Sequence, residues 1–95
     1  MLIHIVSFKY KADADAAARK EHREKLGKLS GLPSVVDLKV GEDVVRSPRS
    51  YDTGLVVTFR DRAALETYQK DPQHVPVAQL GVSLSEHIVA VDFEA

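Results

Sequence analysis

Residues 2–10, Leu-Ile-His-Ile-Val-Ser-Phe-Lys-Tyr, repeat with a period of two and are rich in β-branched and aromatic side chains. That pattern predicts a strand. The alternation puts His4, Val6, Phe8 and Tyr10 on one face and Ile3, Ile5, Ser7 and Lys9 on the other. Both faces begin apolar, so this strand is expected to be covered on both sides. From Asp13 to about Ser30 the residues change to Ala, Lys, Arg, Glu and Leu, which favour a helix. Asp13 or Asp15 suits its first turn, and Gly31 with Pro33 ends it. Ala14, Ala18, His22, Leu26 and Leu29 form one stripe opposite the charges. Gly27 weakens the helix by about 1 kcal/mol relative to Ala, a cost that a close backbone approach would explain.

Val35 to Val45 reads as a second strand, with Val36, Leu38 and Val40 on one face and Asp37 and Lys39 on the other; Gly41 marks a candidate bulge. The polar run Arg46–Ser50, with Pro48, is a loop. Tyr51 to Arg60 predicts a third strand. Asp61 caps a second helix that runs to about Lys70 and stops at Asp71-Pro72. Residues 72–86 read as an irregular or short-helical connection, and His87 to Glu94 as a last alternating strand. The order β-α-β-β-α-β is the ferredoxin-like arrangement of an α+β domain. Two helices cover one face of a four-stranded sheet, and a second copy of that sheet is the economical cover for the other.

Ninety-five residues make one domain, 1–95, whose small core would gain from oligomerisation. Net charge is −1, and the basic residues from Arg19 to Lys28 are interleaved with Glu21 and Glu24. A solvated helix face explains them, and no nucleic-acid partner is expected. The chain has no cysteine, which rules out disulfides, thiolate metal sites and a thiol nucleophile. Neither His22 nor His87 has a metal-ligand spacing, so both read as structural or surface residues. No apolar run approaches the ~20 residues of a membrane span. With no basic and apolar leader at the start, a cytoplasmic protein without cofactor or metal is the expectation.

His4-Ile5-Val6-Ser7-Phe8-Lys9, Tyr51 to Phe59, Tyr68 to Val75 and Val91-Asp92-Phe93-Glu94 follow one another at spacings that resemble the stress-responsive α/β-barrel (Dabb) family. The resemblance implies a homodimeric α+β barrel, with sheets packed face to face and a small-molecule pocket in each subunit. It implies no single activity, since most members have no assigned reaction and a fold hosts many functions. One relative, the plant olivetolic acid cyclase, closes a linear polyketide with a His and a Tyr in a pocket within the subunit. His74 and Tyr68 match those two residues, and His4 matches a histidine common in the family's first strand.

An imidazole can abstract a proton from activated carbon near neutral pH without a metal, and a phenol can hydrogen-bond a developing enolate. A small hydrophobic or enolisable ligand is the partner implied. Each residue also has a structural reading: His74 bonded to a backbone carbonyl, Tyr68 in the core beside Leu65, His4 hydrogen-bonded on an apolar strand. The residues leave open whether the chain is an enzyme. Many relatives have a histidine where this chain has Thr53, so the implied pocket lacks one ionisable group.

Overall fold

The computed structural model describes residues 1–95. Strand β1 (Leu2–Tyr10) is followed by helix α1 (Ala16–Lys28), a 3-10 turn (Leu29–Gly31), β2 (Val35–Glu42) and β3 (Thr53–Phe59). Helices α2 (Arg62–Lys70) and α3 (His74–Leu84) then lead to β4 (Ser85–Glu94). The strands form one antiparallel sheet in the order β2-β3-β1-β4. The ferredoxin-like α+β fold expected from the pattern is therefore present, with one helix more than the pattern gave.

That extra helix is α3, where an irregular or short-helical connection was expected. Its sequence, His-Val-Pro-Val-Ala-Gln-Leu-Gly-Val-Ser-Leu, has no charged residue, and it contains Pro76 and Gly81. Polar and apolar positions barely alternate, so periodicity was silent. Pro76 falls in the first turn, where the backbone N–H would have no intrahelical partner anyway. Helices α1 and α2 start at aspartate caps: the Asp15 carboxylate accepts the Ala18 N–H at 2.8 Å, and Asp61 accepts that of Ala64 at 2.9 Å. Each such cap is worth about 1 kcal/mol.

Strand β2 ends three residues earlier than its hydrophobic pattern, because Asp43 turns the chain by accepting the Arg46 N–H at 2.7 Å. Arg46 there has φ 54°, in the left-handed region. The irregularity in β2 lies between Val35 and Asp37, while Gly41 pairs regularly with Gly54. The bulge turns Val36 outward, so Val35 packs on the core with Leu38 and Val40.

The core lies between the helices and one sheet face, where His4, Val6, Phe8 and Tyr10 of β1 meet Leu55, Val57 and Phe59 of β3. The stripe of α1 closes it with His22, Leu26 and Leu29. Gly27 is not held by a backbone approach, since a Cβ there would meet only Val40 Cγ1, at 3.7 Å. The opposite sheet face carries Ile3 and Ile5 in register with Phe93 and Val91, next to Val56. No element of the chain covers it, and Val91 is 61% exposed and Phe93 44%. No helix is long and apolar enough to cross a membrane.

Candidate functional site

His4 sits near the middle of β1, and the β1–β4 register places Asp92 directly opposite on the helix side. The Nδ1 of His4 pairs with the Asp92 carboxylate. A carboxylate partner holds a proton on Nδ1, which leaves Nε2 as the ring nitrogen free for other work. Tyr68 lies in the last turn of α2 and is fully buried, with its ring 5.0 Å from Phe59 and 6.3 Å from His4.

The six-residue step from Tyr68 to His74 is a built turn. Asp71 accepts the Gln73 N–H on its side chain at 2.8 Å and the His74 N–H on its carbonyl at 2.9 Å. The turn brings the His74 ring to 4.5 Å from that of Tyr68. Nδ1 of His74 donates to the Gln69 carbonyl at 3.2 Å, so Nε2 carries the lone pair.

Together, His4, Tyr68 and His74 line one cavity of about 210 Å³ between the sheet and α3, and apolar side chains such as Val6, Leu55 and Val77 form most of its wall. The sequence named these three as candidates and left open whether they share a pocket; the fold brings all three to the wall of one cavity. Burial pushes the pKa of His74 below the ordinary histidine value; the nearby His4 adds to this, and the bond to Gln69 opposes it. Burial pushes the Tyr68 phenol up to about 12. At neutral pH the site therefore presents a neutral imidazole and a protonated phenol. The Tyr68 hydroxyl has no hydrogen-bond partner in the chain. Volume alone does not mark the site: a larger recess, about 500 Å³, beside β2 and β3 is open and lined by Lys39, Glu42, Asp43 and Tyr51.

Thr53 does not line the cavity of His4, Tyr68 and His74. Its hydroxyl accepts from Tyr10 at 2.9 Å and from Arg23 at 3.4 Å, and Tyr10 lies 2.7 Å from Nδ1 of the fully buried His22. The expectation that Thr53 sets how basic the pocket is must be corrected accordingly. His22 is structural, and His87 is exposed beside Glu86. Asp92 is the site residue that sequence reasoning missed. Its signal was an acidic residue on the helix-side phase of the last strand, and only the strand register ties it to His4. No three histidine, aspartate or glutamate side chains gather closely enough to hold a metal ion.

The family model for the stress responsive A/B barrel domain, Dabb, matches residues 2–95. Among solved structures, a dimeric ferredoxin-like protein of unknown function from Thermobifida fusca has a TM-score of 0.91 at 21% identity, covering 99% of this chain and 90% of its own. A Dabb family protein with a ferredoxin-like fold from Mesorhizobium loti has a TM-score of 0.83 at 26% identity, over 99% and 95% of the two chains. The hydroxynitrile lyase of Passiflora edulis has a TM-score of 0.86 at 21% identity, over 97% and 90%. No curated protein matches the chain. A family match that runs from the first strand to the last, on the fold that its pattern of strands and helices builds, means that the chain belongs to the stress-responsive A/B barrel (Dabb) family.

Proposed function

We propose that this chain works as a homodimer that binds one small, largely apolar molecule per subunit in the cavity lined by His4, Tyr68 and His74. The observation that carries the proposal is the convergence of these three side chains on one apolar cavity, with a buried Tyr68 hydroxyl that nothing in the chain satisfies. A buried polar atom without a partner costs about 1–3 kcal/mol. The dimer is supported by the uncovered face of Ile3, Ile5, Val91 and Phe93, and by the dimeric state of the Thermobifida fusca neighbour. Two such faces would bury roughly 2,000 Å² or more, the size of an obligate interface. Sedimentation of the wild type at micromolar concentration is expected to give a dimer, and Val91→Asp is expected to abolish it. A stable folded monomer of the wild type would refute the pairing.

A second reading, metal-free proton transfer on an enolisable ligand, is favoured by the His74 geometry. With Nδ1 bonded to Gln69 and burial favouring the neutral ring, Nε2 is the basic nitrogen of a side chain that lines the cavity. Exchange of the acidic C–H of a β-diketone probe in deuterated water, followed by NMR, tests it without a known substrate. His74→Ala is expected to slow the protein-catalysed exchange by about 10²–10⁴ while the dimer persists. Catalysis that survives the substitution, or that a chelator removes, would place the chemistry elsewhere.

A further inference from the structure

One edge of the sheet carries an apolar projection, and the opposite edge carries the opening of the cavity. We infer that in the homodimer the Val44–Val45 tip of each subunit docks against Val82 and Ile88 of the partner subunit and closes the mouth of the partner's cavity. The inference rests on the homodimer proposed above and adds which parts of the two copies meet.

Val44 and Val45 follow β2 and are 88% and 74% exposed, the highest values among the large hydrophobic side chains. The turn that bears them is well anchored. The Asp43 carboxylate accepts the Arg46 N–H at 2.7 Å, and the Arg46 guanidinium donates to the Tyr51 carbonyl at 3.3 Å and to the Asp52 carboxylate at 2.8 Å. Asp52 is buried and accepts the Tyr10 N–H at 2.8 Å. Two valines are thus held out into water by a turn tied to the core, and a preorganised tip loses little freedom on docking.

The mouth is marked by exposure. Among the side chains that line the cavity, Ala78 and Val82 of α3 and Ile88 of β4 are exposed, so the opening lies along the seam between α3 and β4. Strand β4 is an edge strand, exposed from Glu86 to Glu94, and its residues Ile88 to Val91 are all apolar. An edge of that kind is normally covered or charged. The other edge, β2, carries Asp37 and Lys39 and a bulge after Val35.

Tip and mouth lie at opposite edges but at the same end of the strands, because Glu42, Thr53, Phe8 and Ile88 form one row across the sheet. Two copies of the uncovered face can close about a twofold axis that runs along the strands. The β2 edge of each then falls beside the β4 edge of the other, and two identical tip-to-mouth contacts form together. An axis across the strands would set β2 against β2 and bring the valine tips to the charged edge of Asp37 and Lys39. Burial of apolar surface favours the first arrangement. Within one subunit the two edges are three strand spacings apart, about 14 Å, so a tip cannot reach its own mouth.

The chain has no cysteine, so pairs of introduced thiols report the contact. Val45→Cys with Ile88→Cys is the first pair and Val44→Cys with Val82→Cys the second, all at exposed positions. At least one pair is expected to give a covalent dimer on mild oxidation, while each single variant stays unlinked. A disulfide within one subunit is ruled out by the width of the sheet. Ile88→Cys that links to itself would set β4 on β4 and overturn the inference. A wild type that sediments as a dimer while neither pair links would overturn it and leave the homodimer standing. A wild-type monomer would remove both. Closure has its own readout: the lone thiol of Val82→Cys should resist an aromatic disulfide reagent, and adding Val44→Ser with Val45→Ser should abolish that protection. Equal rates with and without the valines would show that the tip does not cover the mouth.

Discussion

Two histidine–tyrosine clusters share the helix side of one sheet, and they spend their polar atoms differently. In the first, Tyr10 bridges His22 Nδ1 at 2.7 Å and Thr53 at 2.9 Å, while the His22 ring stands edge-on to Phe8 with centroids 4.8 Å apart. In the second, Tyr68 approaches His74 and His4 through ring contacts alone, and no side-chain hydrogen bond joins the three. Each cluster holds one buried polar atom without a partner, Nε2 of His22 and the hydroxyl of Tyr68. The first faces Gly81 and the Phe8 ring; the second belongs to a side chain that lines a cavity. The same residue types make a closed structural knot in one place and a candidate site in the other. What separates them is whether the polar groups bond to each other or remain available.

The largest expected consequence of the closed cluster is acid sensitivity. Burial, with the Arg23 guanidinium adding to it, lowers the His22 pKa from 6.5 to about 4. The unfolded chain takes up that proton first as pH falls, so stability is full above about 6.5 and declines between 6.5 and 4. Below about 4 this group costs nothing further. A shift of that size corresponds to on the order of 3 kcal/mol, at 1.36 kcal/mol per unit. His74, also lowered by burial, acts with the same sign as pH falls below about 6.5.

Asp52 has its own window. Burial works to raise its pKa, but the Tyr10 N–H, Arg46 and Arg19 outweigh it, so its stabilisation is lost only as pH falls below about 3.8. Urea denaturation at fixed protein concentration should show the decline between pH 6.5 and 4, and His22→Gln should remove most of it. Parallel curves for the two proteins would mean that His22 does not titrate in isolation as argued.

Matched phenylalanine substitutions sharpen the contrast at a smaller scale. Tyr10→Phe strands the buried His22 Nδ1–H and takes the bridging hydroxyl from Thr53, at an expected cost of about 2 kcal/mol. Tyr68→Phe deletes a hydroxyl that has no partner, so stability should hold or rise by up to about 1 kcal/mol. Thermal melts of the two variants decide it. Equal destabilisation would show that the Tyr68 hydroxyl is satisfied in solution by something as firm as a protein bond.

The fold was legible because most of its determinants are local. Alternation in β1, β3 and β4, the aspartate caps and the stripe from Ala14 to Leu29 each act through near neighbours. What escaped depended on long-range geometry. Helix α3 has no charged face to reveal its period. The placement of Thr53 with Tyr10, and of Asp92 with His4, follows from pairings across 43 and 88 residues. His4, Tyr68 and His74 were found because strand phase and the Tyr68–His74 spacing match a family pattern. The vacant hydroxyl that makes the group chemically interesting is a property of packing alone.

The smallest predicted effect tests how tightly the closed cluster is packed, through two helical glycines. Both should gain about 0.5–1 kcal/mol from replacement by alanine, because glycine is entropically costly inside a helix. At Gly27 nothing opposes that gain, since the new methyl would sit 3.7 Å from Val40 Cγ1, an ordinary contact. Gly27→Ala should therefore stabilise by that amount. At Gly81 the methyl would lie 3.0 Å from Nε2 of His22 and 3.2 Å from Cε2 of Phe8. Moving the His22 ring disturbs the Tyr10 bridge and moving the Phe8 ring disturbs its edge contact with His22, and overpacking of this kind costs about 1–3 kcal/mol. The balance predicts a net loss of roughly 1 kcal/mol for Gly81→Ala, opposite in sign to Gly27→Ala. If both variants stabilise, the His22 ring can move aside, and the cluster called closed here is looser than its hydrogen bonds imply.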